Sequence, residues 1–140
     1  MTYFKKEVFK MHRRKKILIV EEDPKNIEVI KKTLEQDKYE HMEAFTAEDA
    51  LELLEREEVD LVICHTQLVG MSGTDFLAEL HNWDIELPVI LTSNGGTKEK
   101  DWLNALQSQA FDMIARPIHK DHLLKAVHKA LHKKEVLAAS

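Results

Sequence analysis

Residues 60–73 read DLVICHTQLVGMSG, and how this stretch is read decides the fold. Asp60 to Cys64 is a continuous apolar, β-branched run of the length of a strand covered on both faces. Gly70 and Gly73 then bracket a turn, and a helix carrying Phe76, Leu77 and Leu80 follows. A buried strand that runs into a glycine-flanked loop is a place to hold chemistry. The residue at its exit is a histidine, His65.

The same strand-then-helix unit repeats on either side. Lys16 to Val20 (KILIV) is a first apolar strand, and Pro24 opens a helix with Ile27, Ile30 and Leu34 on one face. Tyr39 to Phe45 is a more polar second strand that suits a sheet edge. Thr46 caps the next helix, whose buried stripe is Ala47, Ala50, Leu51 and Leu54. Pro88 starts a fourth strand, Val89 to Thr92, and a fourth helix carries Trp102, Leu103 and Leu106. A short fifth strand, Asp112 to Ala115, ends at Arg116-Pro117, and the fifth helix carries Leu124, Val127 and Leu131.

Five such units with short connections predict a single doubly wound, flavodoxin-like α/β domain, its parallel strands in order 2-1-3-4-5 with helices on both faces. Ligands bind such sheets beyond the carboxyl ends of the strands, where strand order reverses. Glu21, Glu22 and Asp23, His65 and Thr66, Ser93 and Asn94, and Arg116 lie just past those ends. No G-x-G-x-x-G or G-x-x-x-x-G-K-[ST] loop accompanies them, so a nucleotide site lacks support.

The chain has 140 residues, 44% hydrophobic and 32% charged, enough for one core and too few for two. We expect a basic extension over residues 1–15, one domain over 16–134 and a tail over 135–140. Residues 1–16 carry a formal charge of +6 and the remainder −11. A basic run of this kind is ordinarily a solvated extension, and the acidic body argues against nucleic acid as a partner. No stretch has the length and apolarity of a membrane span, no signal-peptide pattern is present, and the lone Cys64 rules out a disulfide framework. A cytoplasmic protein is expected.

Taken together, KILIVEEDP, DLVICHTQLVGMSGTDFL, LPVILTS and IARPIHKDHLL resemble the receiver domain of two-component response regulators, over about Lys15 to His132. The resemblance implies an acidic pair holding Mg²⁺ after the first strand and a phosphorylated aspartate after the third. It also implies a hydroxyl after the fourth strand and a lysine after the fifth. Placed on this chain, the acidic pair is Glu21 and Glu22, the hydroxyl Ser93 and the lysine position Arg116. The acceptor position is His65, the loop proline Val69 and the aromatic switch position Met113.

Histidine cannot form an acyl phosphate, and it gives Mg²⁺ no carboxylate oxygen. The expectation is a degenerate phosphorylation pocket of Glu21, Glu22, His65, Ser93 and Arg116, with no catalytic residue, no cofactor and the Mg²⁺ site lost. A protonated His65 bonded to Glu21 or Glu22 would balance the charge. Were a metal to bind, Glu21, Glu22 and His65 would be its ligands. The expected function is an atypical, phosphorylation-independent receiver in a phosphorelay pathway, a binding module rather than an enzyme. Its partner would be a sensor kinase, an output domain or a second copy. That partner would dock on the face of the fourth helix, fifth strand and fifth helix, with Trp102 and Met113 as the surface residues. Other readings are a working phosphorelay switch with a non-standard acceptor or metal, and a dimerisation domain of a larger regulator. His119, His122, His128 and His132 read as a solvated basic helix rather than a metal cluster.

Overall fold

The computed structural model describes residues 14–94, 103, 107 and 109–139. The strands are β1 (Lys16–Val20), β2 (Glu40–Ala44), β3 (Leu61–His65), β4 (Val89–Ser93) and β5 (Asp112–Ala115). The helices with complete bounds are α1 (Pro24–Gln36), α2 (Ala47–Arg56), α3 (Gly73–Asn82) and α4 (Lys120–Ala139), the last being the fifth helix of the sequence pattern. The strands form one parallel sheet in order β2-β1-β3-β4-β5, the predicted topology. The polar β2 takes an edge, while β1, β3 and β4 are the apolar strands inside.

Local chemistry sets the helix starts. Asp23 accepts the Lys25 N–H at 3.0 Å and Thr46 accepts the Asp49 N–H at 3.1 Å. Ser72 does the same for Asp75 at 3.1 Å. Each side-chain oxygen thus satisfies one of the orphan donors of a first turn.

Successive side chains of a strand point to opposite faces of the sheet, and the core divides accordingly. Leu18, Val20, Val62, Cys64, Val89, Leu91 and Met113 face α2 and α3, which bring Ala47, Ala50, Leu51, Phe76, Leu77 and Leu80. Ile17, Ile19, Leu61, Ile63, Ile90 and Ile114 face α1 and α4, which bring Ile30, Leu34, Leu123, Ala126, Val127, Ala130 and Leu131.

Three expectations about faces change. The stripe of α4 is centred on Leu123, Val127 and Ala130, with Leu124 only half-buried. An i, i+3, i+7 set fits more than one position around a helix, and packing on β5 and α1 selects among them. Leu103, expected on an inward face, is 51% exposed. Met113, expected on the partner face, is 1% exposed and lies in the core beside Leu91. It is the inward residue of β5 toward α2 and α3, so its side chain is not part of a surface. Trp102, Leu106 and the 1–13 arm lie outside the described residues.

Candidate functional site

The alternation that builds the core also builds the site. On the α1/α4 face the apolar rows run Ile17, Ile19; Leu61, Ile63; Ile90; and Ile114. One more step of two along each strand reaches Glu21, His65, Thr92 and Arg116. Four polar residues therefore continue one face of the sheet past its apolar part, at the carboxyl ends and around the strand-order reversal between β1 and β3.

Parity also brings a second hydroxyl to the site, one that the sequence reading did not name among its site residues. Thr92 is the Cα partner of His65 in the ladder, and its Oγ1 lies 3.1 Å from His65 Nδ1. Ser93 falls on the opposite face with Leu91. It is buried, and its carbonyl accepts the Arg116 N–H at 2.8 Å. Spacing from Pro88 points to Ser93, and pairing with β3 adds Thr92 beside His65.

Glu21 is only 1% exposed. Its Oε1 accepts from Arg116 NH2 at 2.5 Å, and its Oε2 accepts the N–H groups of Glu22 at 2.9 Å and Asp23 at 3.3 Å. Both oxygens of the one buried acidic side chain of the crevice are thus committed. Glu22 points to solvent, and Asp23 is spent on capping α1.

Arg116 NH2 lies 3.4 Å from His65 Nδ1 and 3.3 Å from Nε2. A nitrogen nearly equidistant from both ring nitrogens at this range cannot lie in the ring plane without striking a ring carbon. The guanidinium therefore sits over the imidazole face, a contact suited to a neutral ring. His65, 5% exposed, is held below the ordinary histidine pKa, first by burial and then by Arg116, against the opposing pull of Glu21. The expected imidazolium on Glu21 or Glu22 is not what the structure forms. The charge opposite Glu21 belongs to Arg116, because a guanidinium keeps its proton under desolvation and an imidazole gives it up.

The family pattern calls for Mg²⁺ here, and these residues do not fit it. Mg²⁺ demands near-octahedral oxygen coordination. His65 offers an imidazole beneath a guanidinium, and the buried carboxylate of Glu21 already pairs with that same guanidinium. Among the described residues no group of three or more His, Cys, Asp or Glu side chains could hold a metal ion. His128 instead pairs with Asp37 at 2.6 Å. Burial, aided by the charge of Glu21, pushes the neighbouring Cys64 thiol up and out of the reactive range.

The loop after β3 is gripped through its main chain. Thr66 N–H donates to the Thr92 carbonyl at 2.8 Å, and Gly73 N–H to the Thr66 carbonyl at 2.9 Å. A Cβ on Gly73 would lie 2.5 Å from the His65 carbonyl oxygen, so only glycine fits.

Strand order, the glycine-closed loop and the polar ends agree with one family, and the model of the response regulator receiver domain matches residues 17–128. The chain belongs to the response regulator receiver family. This receiver is 31% identical over 121 residues to the transcriptional regulatory protein GlrR of Escherichia coli (strain K12), covering 86% of this chain and 27% of that protein. It is 30% identical to the heme response regulator HssR of Staphylococcus saprophyticus, covering 85% of this chain and 52% of that protein. The receiver thus spans about a quarter to about half of the length of these relatives. Among solved structures, the signal receiver domain of an HD domain-containing protein from Pseudomonas fluorescens superposes with a TM-score of 0.81. It is 29% identical, and the match covers 89% of this chain and 99% of that one. A CheY-like response regulator receiver domain protein from Methanospirillum hungatei gives 0.79 at 28% identity, covering 88% and 98%. Receiver domains are signalling modules, and none of the helices described here is long and apolar enough to cross a membrane.

Proposed function

We propose that this receiver signals without an acyl phosphate or Mg²⁺ and acts by binding a protein partner. The single observation that carries this reading is the seating of Arg116 on Glu21 and over the face of His65. A receiver's chemistry needs a carboxylate nucleophile and a metal to offset phosphoryl charge. Here the nucleophile's position holds a nitrogen ring, and a resident cation already neutralises the buried carboxylate. The internal pair keeps the domain in one charge state that needs no co-reactant.

The partner would be a sensor kinase, an output domain or a second copy. It would meet the face formed by the helix of Leu103, β5 and α4, in a phosphorelay pathway of the cytoplasm. The outward Leu103 supports this, as an apolar side chain on that face is a ready contact.

The test is the intact mass of the protein after incubation with Mg²⁺ and a small phosphodonor. Beside it runs the variant His65→Asp, Glu21→Asp, Glu22→Asp, Arg116→Lys. The expected result is no adduct on the natural sequence and one phosphoryl group on the variant. A stoichiometric adduct on the natural sequence would overturn the reading.

A further inference from the structure

The mouth of the crevice is crossed by two neutral side chains that charge balance does not require. Asn94 Nδ2 donates to Gln67 Oε1 at 2.9 Å, and Arg116 NH1 donates to Asn94 Oδ1 at 3.1 Å. Arg116 NH2 continues the line to Glu21. One unbroken relay, Gln67–Asn94–Arg116–Glu21, thus joins the β3–α3 loop, the end of β4, the end of β5 and the end of β1.

Its polarity is determined. A guanidinium only donates, so Asn94 must turn its oxygen to Arg116 and its NH₂ to Gln67, which must present oxygen. Reversing either amide would set donor against donor. Beneath the relay, Arg116 Nε is buried and has no hydrogen-bond partner among the described residues. An unmet buried donor is costly, and it persists only where other contacts hold the group in place. Glu21 holds one end of the guanidinium, and Asn94 holds the end that faces solvent.

We infer that Gln67 and Asn94 form a latch that keeps Arg116 seated over His65 and against Glu21. The state of the crevice is then set by how the β3–α3 loop sits against the end of β4, not by the arrival of a metal or phosphoryl group. A partner that draws the β3–α3 loop away from the end of β4 would part the carboxamides and release the guanidinium to water. This regulation rests on the metal-free reading above, and the two can fail separately.

The Nε–H proton of Arg116 reports on the latch, and its exchange with solvent is measurable by ¹⁵N NMR on the whole chain. In the natural sequence it exchanges slowly. Asn94→Ala, which removes the bond to Arg116, speeds exchange by about tenfold or more relative to the β1 and β3 amides of the same sample. Gln67→Leu, which leaves that bond in place, speeds it less. A rate within a factor of about two of the natural sequence for Asn94→Ala, once so normalised, would overturn the latch. Fast exchange in the natural sequence would do the same. Mg²⁺ alone is then added to the natural sequence, and the Arg116 resonance is expected to stay put. A shift there would sink the metal-free reading without touching the exchange result.

Discussion

The bodies of the strands and their carboxyl ends obey different rules. Along the bodies of β1, β3 and β4 every residue meets a packed neighbour, and what matters is apolar volume. At the ends the same alternation delivers Glu21, His65, Thr92 and Arg116, where charge, hydrogen bonding and desolvation decide. The bodies build the receiver sheet, whereas the ends carry the side chains on which the proposed function rests. A sheet can therefore keep its architecture whatever chemistry its ends carry, because packing and chemistry occupy different lengths of the same strands.

That separation can be broken by experiment. Leu91→Ala removes a fully buried side chain and should cost about 3 kcal/mol by denaturant unfolding, while leaving the Arg116 resonances in place. A collapse of the crevice signals at full folding would mean that body and ends are not independent. Arg116→Met leaves the Glu21 carboxylate buried without its cation and should cost about 2–4 kcal/mol. Glu21→Gln added to Arg116→Met should recover much of that loss in a double-mutant cycle. No recovery would mean that Arg116 stabilises through its stem rather than its charge. Thr92→Val strips His65 Nδ1 of its hydroxyl neighbour and should cost about 1–2 kcal/mol by denaturant unfolding.

A subtler test uses pH. His65 is held neutral in the fold, below its unfolded value of about 6.5. Its contribution is therefore fully present above about pH 6.5 and is lost as pH falls below that toward the depressed folded value, since the unfolded chain takes up the proton first. Thermal stability should fall more steeply from pH 7.5 toward pH 5 for the natural sequence than for His65→Gln, by about one titrating group. Equal slopes would mean that His65 titrates alike in both states. The smallest effect belongs to the exposed Glu28–Lys32 pair on α1, where Lys32→Ala should cost about 0.3 kcal/mol, fading with salt.

The apolar strands, the edge position of β2, the cap at Thr46 and the convergence of the strand ends were all legible in the sequence. Each rests on local pattern: continuous apolar runs, alternation, a capping oxygen before a helical stripe. What was not legible is relational. Thr92 faces His65 because of a ladder register between strands 27 residues apart, which spacing within β4 cannot reveal. The cation at Glu21 is Arg116 rather than His65 because burial discharges an imidazole and not a guanidinium, and burial is a property of the assembled sheet. Leu103 and Met113 exchanged their expected exposures because packing, not composition, chooses which side chains face outward.

Gly73 carries a consequence for how such a crevice changes over time. It abuts the His65 carbonyl and the main chain of Thr66, and its own N–H is anchored on Thr66; none of these contacts involves the side chain at position 65. The socket grips backbone only. Whatever side chain is installed there inherits the same location and direction, so this position behaves as an interchangeable mount on a fixed chassis. A lineage, or a protein engineer, can swap the fitting without rebuilding what carries it.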